Sequence, residues 1–211
     1  MTDEDQYKKY PRHRNFFNKL WLAEQLGYVC GPAGVDVPKP GVYVVRPIMN
    51  LDGMGAGARV EELEGNPKEK VRAGEFWCEY FEGPHMSGDY RYVTGQIPYW
   101  EPLSCWEGIN YPINLSKFVE WKRHKHAPKV PRLFNELSDV AVINVEFIGD
   151  KPIEVHLRRT VDPDYDHLIP VWKSSYPEFI EHYEMTGYKY IESFDDANGQ
   201  LDDPRLGFMV K

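Results

Sequence analysis

The chain has 211 residues, 42% of them hydrophobic and 14% aromatic, enough to bury the core of one domain or two small lobes. Its formal charge of −8 at pH 7 and pI near 5.4 exclude broad nonspecific attraction to nucleic acid or to an anionic membrane, and no apolar run approaches the roughly 20 residues of a membrane-spanning helix. The start is too polar for a signal peptide, and Cys30, Cys78 and Cys105 are spaced for neither a disulfide framework nor a zinc site, so the cytoplasm is the expected compartment.

Residues 1–14 are expected to be frayed as far as Pro11. Asn15 to Leu26 then reads as an amphipathic helix, with Phe16, Leu20, Ala23 and Leu26 near helical spacing and Gly27 as its stop. Residues 29–40, rich in Gly and Pro, suit a connector. Val42 to Ile48 reads as a buried strand and Ala58 to Leu63 as a second one. Between them Gly53, Gly55 and Gly57 alternate with Met54 and Ala56, so that backbone N–H groups can approach an anion closely. Arg46, a fixed cation near the end of the first strand, suits a phosphate. A mobile hairpin tip, with Arg46 paired to Glu61 or Glu62, accounts for the same residues. The pattern is neither a P-loop nor the dinucleotide fingerprint.

A short helix is expected over Pro67 to Arg72, then an apolar strand from Glu75 to Glu82 that can present backbone groups to a planar ring. On it Glu79 or Glu82 can accept ribose hydroxyls; an ordinary core strand is the competing reading. Asp89 to Gln96 reads as the next antiparallel strand after a turn at 83–88, Ile97 to Pro112 as an aromatic-rich loop, and Leu115 to Lys125 and Arg132 to Val140 as helices. The basic run Lys122, Arg123, His124, Lys125, His126 and Lys129 either attracts an anionic substrate or is a solvated helix end. Tyr176 to Tyr183 suggests a short helix, and Lys189 to Phe194 and Leu206 to Val210 two terminal strands.

The most informative stretch is Ile143 to Arg158. Ile143, Val145 and Phe147 alternate with Asn144 and Glu146, and after a turn Ile153, Val155 and Leu157 alternate with Glu154, His156 and Arg158. A loop of Gly149, Asp150 and Lys151 would pair Ile148 with Pro152, set Glu146 opposite Glu154 and Asn144 opposite His156. Like charges facing each other across a strand pair are destabilising. A compensating cation is therefore expected, a divalent metal being the usual one. A half-exposed hairpin with a solvated polar face, Arg158 neutralising one glutamate, is the competing reading.

Taken in order, the strand VVRP at 44–47, the hairpin DGMGAGARV at 52–60, WCEYFEG at 77–83 with SGDYRYV at 87–93, and VEFIGD at 145–150 with IEVHLR at 153–158 resemble the ATP-grasp superfamily of ATP-dependent ligases, over about Asn15 to Trp172. The resemblance implies an α+β fold of two small lobes of antiparallel sheet plus helices, about 15–83 and 84–211, with a nucleotide cleft between them. It also implies ATP and Mg2+ (or Mn2+) as cofactors. Phosphates would lie under Gly53, Met54, Gly55, Ala56 and Gly57 with Arg46 in place of the usual lysine, and adenine against Glu79, Tyr80 and Phe81 with Glu82 on the ribose. Glu146 and Glu154 would hold the metal. His156 stands where the family usually has an asparagine ligand, and Arg158 would steady the transferred phosphate.

Such enzymes activate a carboxylate as an acyl phosphate for attack by an amine, so the implied partners are a small-molecule or peptide carboxylate and an amine. No membrane is expected, and nucleic acid is not an expected ligand. The chain starts almost at the ATP-binding part, which implies either a minimal ligase or a substrate site completed by a second copy or a partner protein. Two further readings stand beside the ligase: a nucleotide-binding module without activity, and a metal-dependent nuclease built on Glu146, Glu154 and His156.

Overall fold

The computed structural model describes residues 2–51, 53–111 and 114–211. Asp52, at the head of the expected glycine hairpin, and Pro112, at the end of the expected aromatic loop, lie outside them. The fold is α+β, with two antiparallel sheets. The smaller contains β1 (Cys30–Pro32), β2 (Gly41–Pro47), β3 (Arg59–Leu63) and β4 (Glu75–Glu79) in the order β1-β4-β2-β3. Tyr43, Val45 and Trp77 point to one face and build a core with Val37, Leu63 and Val71. The residues between them, Val44, Arg46 and Cys78, turn to the other face and line a cleft, as a period of two requires.

The larger sheet contains β5 (His85–Val93), β6 (Tyr99–Tyr111), β7 (Asn114–Arg123), β8 (Val142–Ile148), β9 (Lys151–His156), β10 (His167–Trp172), β11 (Lys189–Asp195) and β12 (Arg205–Val210), in the order β11-β12-β10-β7-β6-β5-β8-β9. Ile143, Val145 and Phe147 of β8, all fully buried, face a core completed by Phe16, Phe17, Leu22, Phe134 and Leu137. Each such side chain contributes about 1.5–3 kcal/mol by leaving water. Its other face is the floor of the cleft.

Four expectations are corrected. Residues 2–14 are ordered: α1 (Asp3–Lys9) opens with a reciprocal cap between Thr2 and Asp5, has Asp3, Glu4 and Asp5 in its first turn and Lys8 and Lys9 in its last, and buries Asp3 and Gln6. The helix expected from Asn15 is a 3-10 segment over Pro11–Phe17, after which Asn18 caps α2 (Lys19–Gln25) by accepting from the Trp21 N–H. The segments read as an aromatic loop and a helix are β6 and β7, which pair with each other. Aromatic side chains favour a pleated sheet, and tertiary pairing overrides weak helical spacing. Pro102 is accommodated next to a bulge where β6 passes Asp89 and Tyr90. Finally, the strand expected over Asp89 to Gln96 is β5, running from His85 to Val93, so most of the expected turn at 83–88 is strand, and it belongs to the second sheet.

Of the remaining helical expectations, the one over Pro67 to Arg72 is only a turn at 68–70, the one over Arg132 to Val140 is a 3-10 segment over Arg132–Leu137, and the one over Tyr176 to Tyr183 is met by α3 (Glu178–Glu184). Among the described residues no helix is long and apolar enough to cross a membrane.

Candidate functional site

The β8–β9 hairpin pairs Asn144 with His156 and Glu146 with Glu154, as the alternation requires. The turn is shorter than expected: Ile148 pairs with Lys151 and Phe147 with Pro152, around Gly149 at φ +62°. A bulge between Glu146 and Phe147 restores the register and makes Ile153 the extra residue. The Ile153 carbonyl accepts from Arg46 Nη2 at 2.9 Å. Arg46 thus ties the small sheet to the hairpin.

The facing glutamates are compensated from within the chain. His156 Nε2 stands 3.8 Å from a carboxylate oxygen of each. Glu154 is also paired with Lys19 Nζ at 2.6 Å, and Glu146 lies 3.4 Å from His85 Nε2. On its other side His156 Nδ1 meets Asp3 Oδ2 at 2.8 Å, and Arg158 reaches the same carboxylate through Nε at 2.8 Å and Nη2 at 3.0 Å. The ladder Arg158, Asp3, His156, Glu146 and Glu154, Lys19 alternates in sign throughout, and Asp3, Lys19 and His156 are only 3%, 5% and 7% exposed. Sequence reading missed Asp3, Lys19 and His85; only the Thr2-x-x-Asp5 cap and the Asn18 cap announce the helix starts that carry the first two.

Burial opposes charge on His156, but the Asp3 carboxylate and the contacts with Glu146 and Glu154 outweigh it and lift the imidazole to about 10. Burial would raise Asp3 and Glu146, yet His156, with Arg158 at Asp3 and His85 at Glu146, holds both below the ordinary carboxylate range. A raised imidazole pKa contributes stability fully present below 6.5, its ordinary value, and lost as pH rises toward 10; the lowered carboxylates contribute stability present above about 4.5 and lost as pH falls. The urea midpoint should therefore plateau between about pH 4.5 and 6.5 and fall toward pH 10. In His156→Gln the alkaline fall should shrink; an unchanged profile would mean that His156 carries no proton across that range.

This arrangement engages His156, expected as a metal ligand, on both sides. Its Nδ1 meets Asp3 and its Nε2 faces both glutamates, so ligating a metal would require it to give up these contacts. Among the described residues no three His, Cys, Asp or Glu side chains are placed to hold a metal ion. Magnesium would have to compete with His156, Lys19 and His85 for Glu146 and Glu154, so the donor set as it stands does not fit a bare divalent ion. Arg158, expected on a phosphate, is engaged by Asp3.

The hairpin forms one end of a cleft of about 980 Å³, at the upper end of the range for small-molecule sites. It brings together Arg46, Gly53, Met54, Gly55, Ala56, Glu79, Tyr80, Phe81, Glu146, Glu154, His156 and Arg158. Val44, Val60 and Cys78 of the small sheet, with Tyr80 just beyond it, form an apolar wall of the cleft, and Trp106, Phe118 and Trp121 of the large sheet line it as well. Gly57 and Glu82 are not among the lining residues: Gly57 packs behind the loop, where a Cβ would meet Pro47 at 3.0 Å, and Glu82 is exposed. Glu79 uses its carboxylate to accept from the Val29 N–H at 2.9 Å.

Gly53, Met54 and Gly55 all have positive φ, so the loop is a run of tight turns. The Ala56 and Ala58 N–H groups are spent on Gly53 and Gly55 carbonyls within it. It reaches across to the large sheet, where Ser116 Oγ donates to Gly55 O at 3.1 Å and Arg205 Nη1 lies 3.7 Å from Met54 Sδ. Arg205, 5% exposed and unforeseen from sequence, is held by Asp162 at 3.2 Å and Asp195 at 3.8 Å. Arg46 carries a buried Nε with no hydrogen-bond partner, a donor that suits an anion such as a phosphate. The basic run is matched locally, with Arg123 on Asp164 and Asp166 and Lys122 on Glu120, and it is outside the cleft.

No protein-family model and no curated protein sequence matches the chain. Solved structures similar to it include the following two. An ATP-grasp superfamily protein from Archaeoglobus fulgidus matches at 17% identity and a TM-score of 0.38, over 70% of this chain and 47% of that one. An L-amino acid ligase from Bacillus licheniformis matches at 16% identity and a TM-score of 0.46, over 69% of this chain and 41% of that one. The match therefore spans less than half the length of either structure.

Proposed function

We propose that the cleft binds ATP and that the protein is an ATP-dependent ligase, joining a carboxylate to an amine. The observation that carries this reading is the convergence of Arg46, the Gly53–Ala56 loop and the β8–β9 hairpin on one cleft beside an apolar wall. In this reading the chain divides near residue 83 into two lobes, with adenine against Tyr80 and Phe81 and the phosphates between Arg46 and the glycine loop. The terminal phosphoryl group passes to the substrate carboxylate, the amine displaces phosphate, and ADP is released; fixed cations at the phosphoryl oxygens are the protein's main contribution. A second copy or partner chain completing the substrate site belongs to the same proposal.

A second reading, a nucleotide-binding module without turnover, is favoured by one observation: His156 occupies the space between Glu146 and Glu154 that a catalytic metal would need. Purified protein with labelled ATP, magnesium or manganese, and a panel of carboxylates and amines separates the two. ADP release that requires both co-substrates supports the ligase, and binding without release supports the module. Absence of ATP binding in calorimetry removes both. Arg46→Ala should weaken ATP binding about 10- to 100-fold, the effect of a charge-assisted hydrogen bond lost from a buried site. Unchanged affinity would remove Arg46 from the phosphate site.

A further inference from the structure

Cys30 and Cys78 are direct partners in the β1–β4 pairing. The ladder bonds flanking them, Glu79 N–H to Val29 O at 2.8 Å and Ala33 N–H to Glu75 O at 3.3 Å, fix its phase. Residues 29 and 33 of the chain occupy hydrogen-bonded positions, and so by alternation does 31, which leaves Cys30 and Cys78 as a non-hydrogen-bonded pair. Such pairs hold their Cα atoms about 4.5 Å apart, with both side chains on one face at closest approach. That separation lies within the reach of a disulfide, roughly 4.4–6.8 Å between Cα atoms. Both thiols are free, and both enter one apolar cluster with Ala23, Phe76 and Phe81. Cys30 is partly exposed, while Cys78 is buried and lines the cleft.

We infer that Cys30 and Cys78 form a thiol-oxidation site that takes a small-molecule disulfide and closes to a cross-strand disulfide behind the cleft wall. Cys30 attacks one sulfur of the small disulfide; that S–S bond breaks, one small thiol departs with the Cys30 proton, and a mixed disulfide remains. Cys78 then attacks the Cys30 sulfur and expels the second small thiol, which takes the Cys78 proton. Two protein thiols are oxidised by two electrons and one small disulfide is reduced to two thiols.

The order follows from accessibility and acidity. Burial pushes the Cys30 thiol to about 11 and the Cys78 thiol to about 12, and the Arg46 guanidinium pulls both the other way. Cys30 is the thiol that solvent reaches, and burial raises it less than it raises Cys78, so it is the more readily ionised of the two. Exchange is slow but directed. Cys105, buried under the other sheet, has no such partner among the described residues.

The full-length protein is equilibrated with mixtures of glutathione and glutathione disulfide, quenched by alkylation, and analysed by mass spectrometry. The expected result is the loss of two of the three alkylatable thiols, with a peptide cross-link joining Cys30 to Cys78 and Cys105 still alkylated. In Cys78→Ser the glutathione adduct should accumulate on Cys30; in Cys30→Ser an adduct on the buried Cys78 should form more slowly. The inference is overturned if Cys30 and Cys78 remain alkylatable at every ratio, or if the wild-type protein keeps a stable adduct on Cys30 beside a free Cys78. The wild-type measurement decides alone should either variant fail to fold.

Discussion

Asp3→Ala is expected to cost about 3–5 kcal/mol of folding stability, read as a fall in the urea midpoint, because it strips two nearly buried cations of their shared carboxylate. Asp3 accepts from Arg158 through two nitrogens and meets His156 Nδ1 at 2.8 Å, at the start of a helix only seven residues long. So short a helix has little intrinsic stability, so its order depends on being docked. Asp139→Ala is the control: its pair with His13 is shorter still at 2.6 Å, but Asp139 is 62% exposed, and an exposed pair is worth about 0–1 kcal/mol. If both substitutions cost the same small amount, α1 does not close the site. The result also bears on how the chain is shortened for study, since removal of residues 1–9 would expose the whole charge ladder.

The hairpin was legible in the sequence because its information is local: an unbroken period of two, a Gly-Asp turn, and one register in which the apolar arms share a face. Even a turn one residue shorter than expected left Glu146 opposite Glu154, since the bulge at Ile153 absorbed the difference. The need for a compensating cation was legible too. Its identity was not, because the charges that meet the glutamates come from Lys19, His85 and, through His156, Asp3, which lie about 60 to 150 positions away in the chain. Arg205, beneath Met54 from the far end of the chain, escaped for the same reason. The β6 and β7 strands were missed on different grounds: Pro102 argues against a strand unless a bulge receives it, and the basic end of β7 imitates a helix terminus.

His156→Asn is expected to turn the internally compensated pair into a divalent-metal site. Asparagine supplies an oxygen ligand but no charge, so Glu146 and Glu154 would face each other with only Lys19 and His85 at their outer oxygens. The substitution should cost about 3–5 kcal/mol in the absence of metal, as expected when a buried ion pair loses one partner. Magnesium should then restore about 2.7 kcal/mol at a hundred times its dissociation constant, an increment that follows from binding the folded state alone. The wild-type protein at pH 7 should show no such gain, because His156, lifted to about 10, already holds the positive charge between the carboxylates. Urea midpoints for both proteins across a magnesium titration make the comparison. Equal stabilisation of the two would mean that the imidazolium yields its place to the metal, and that His156 is not what separates this site from a metal-binding one.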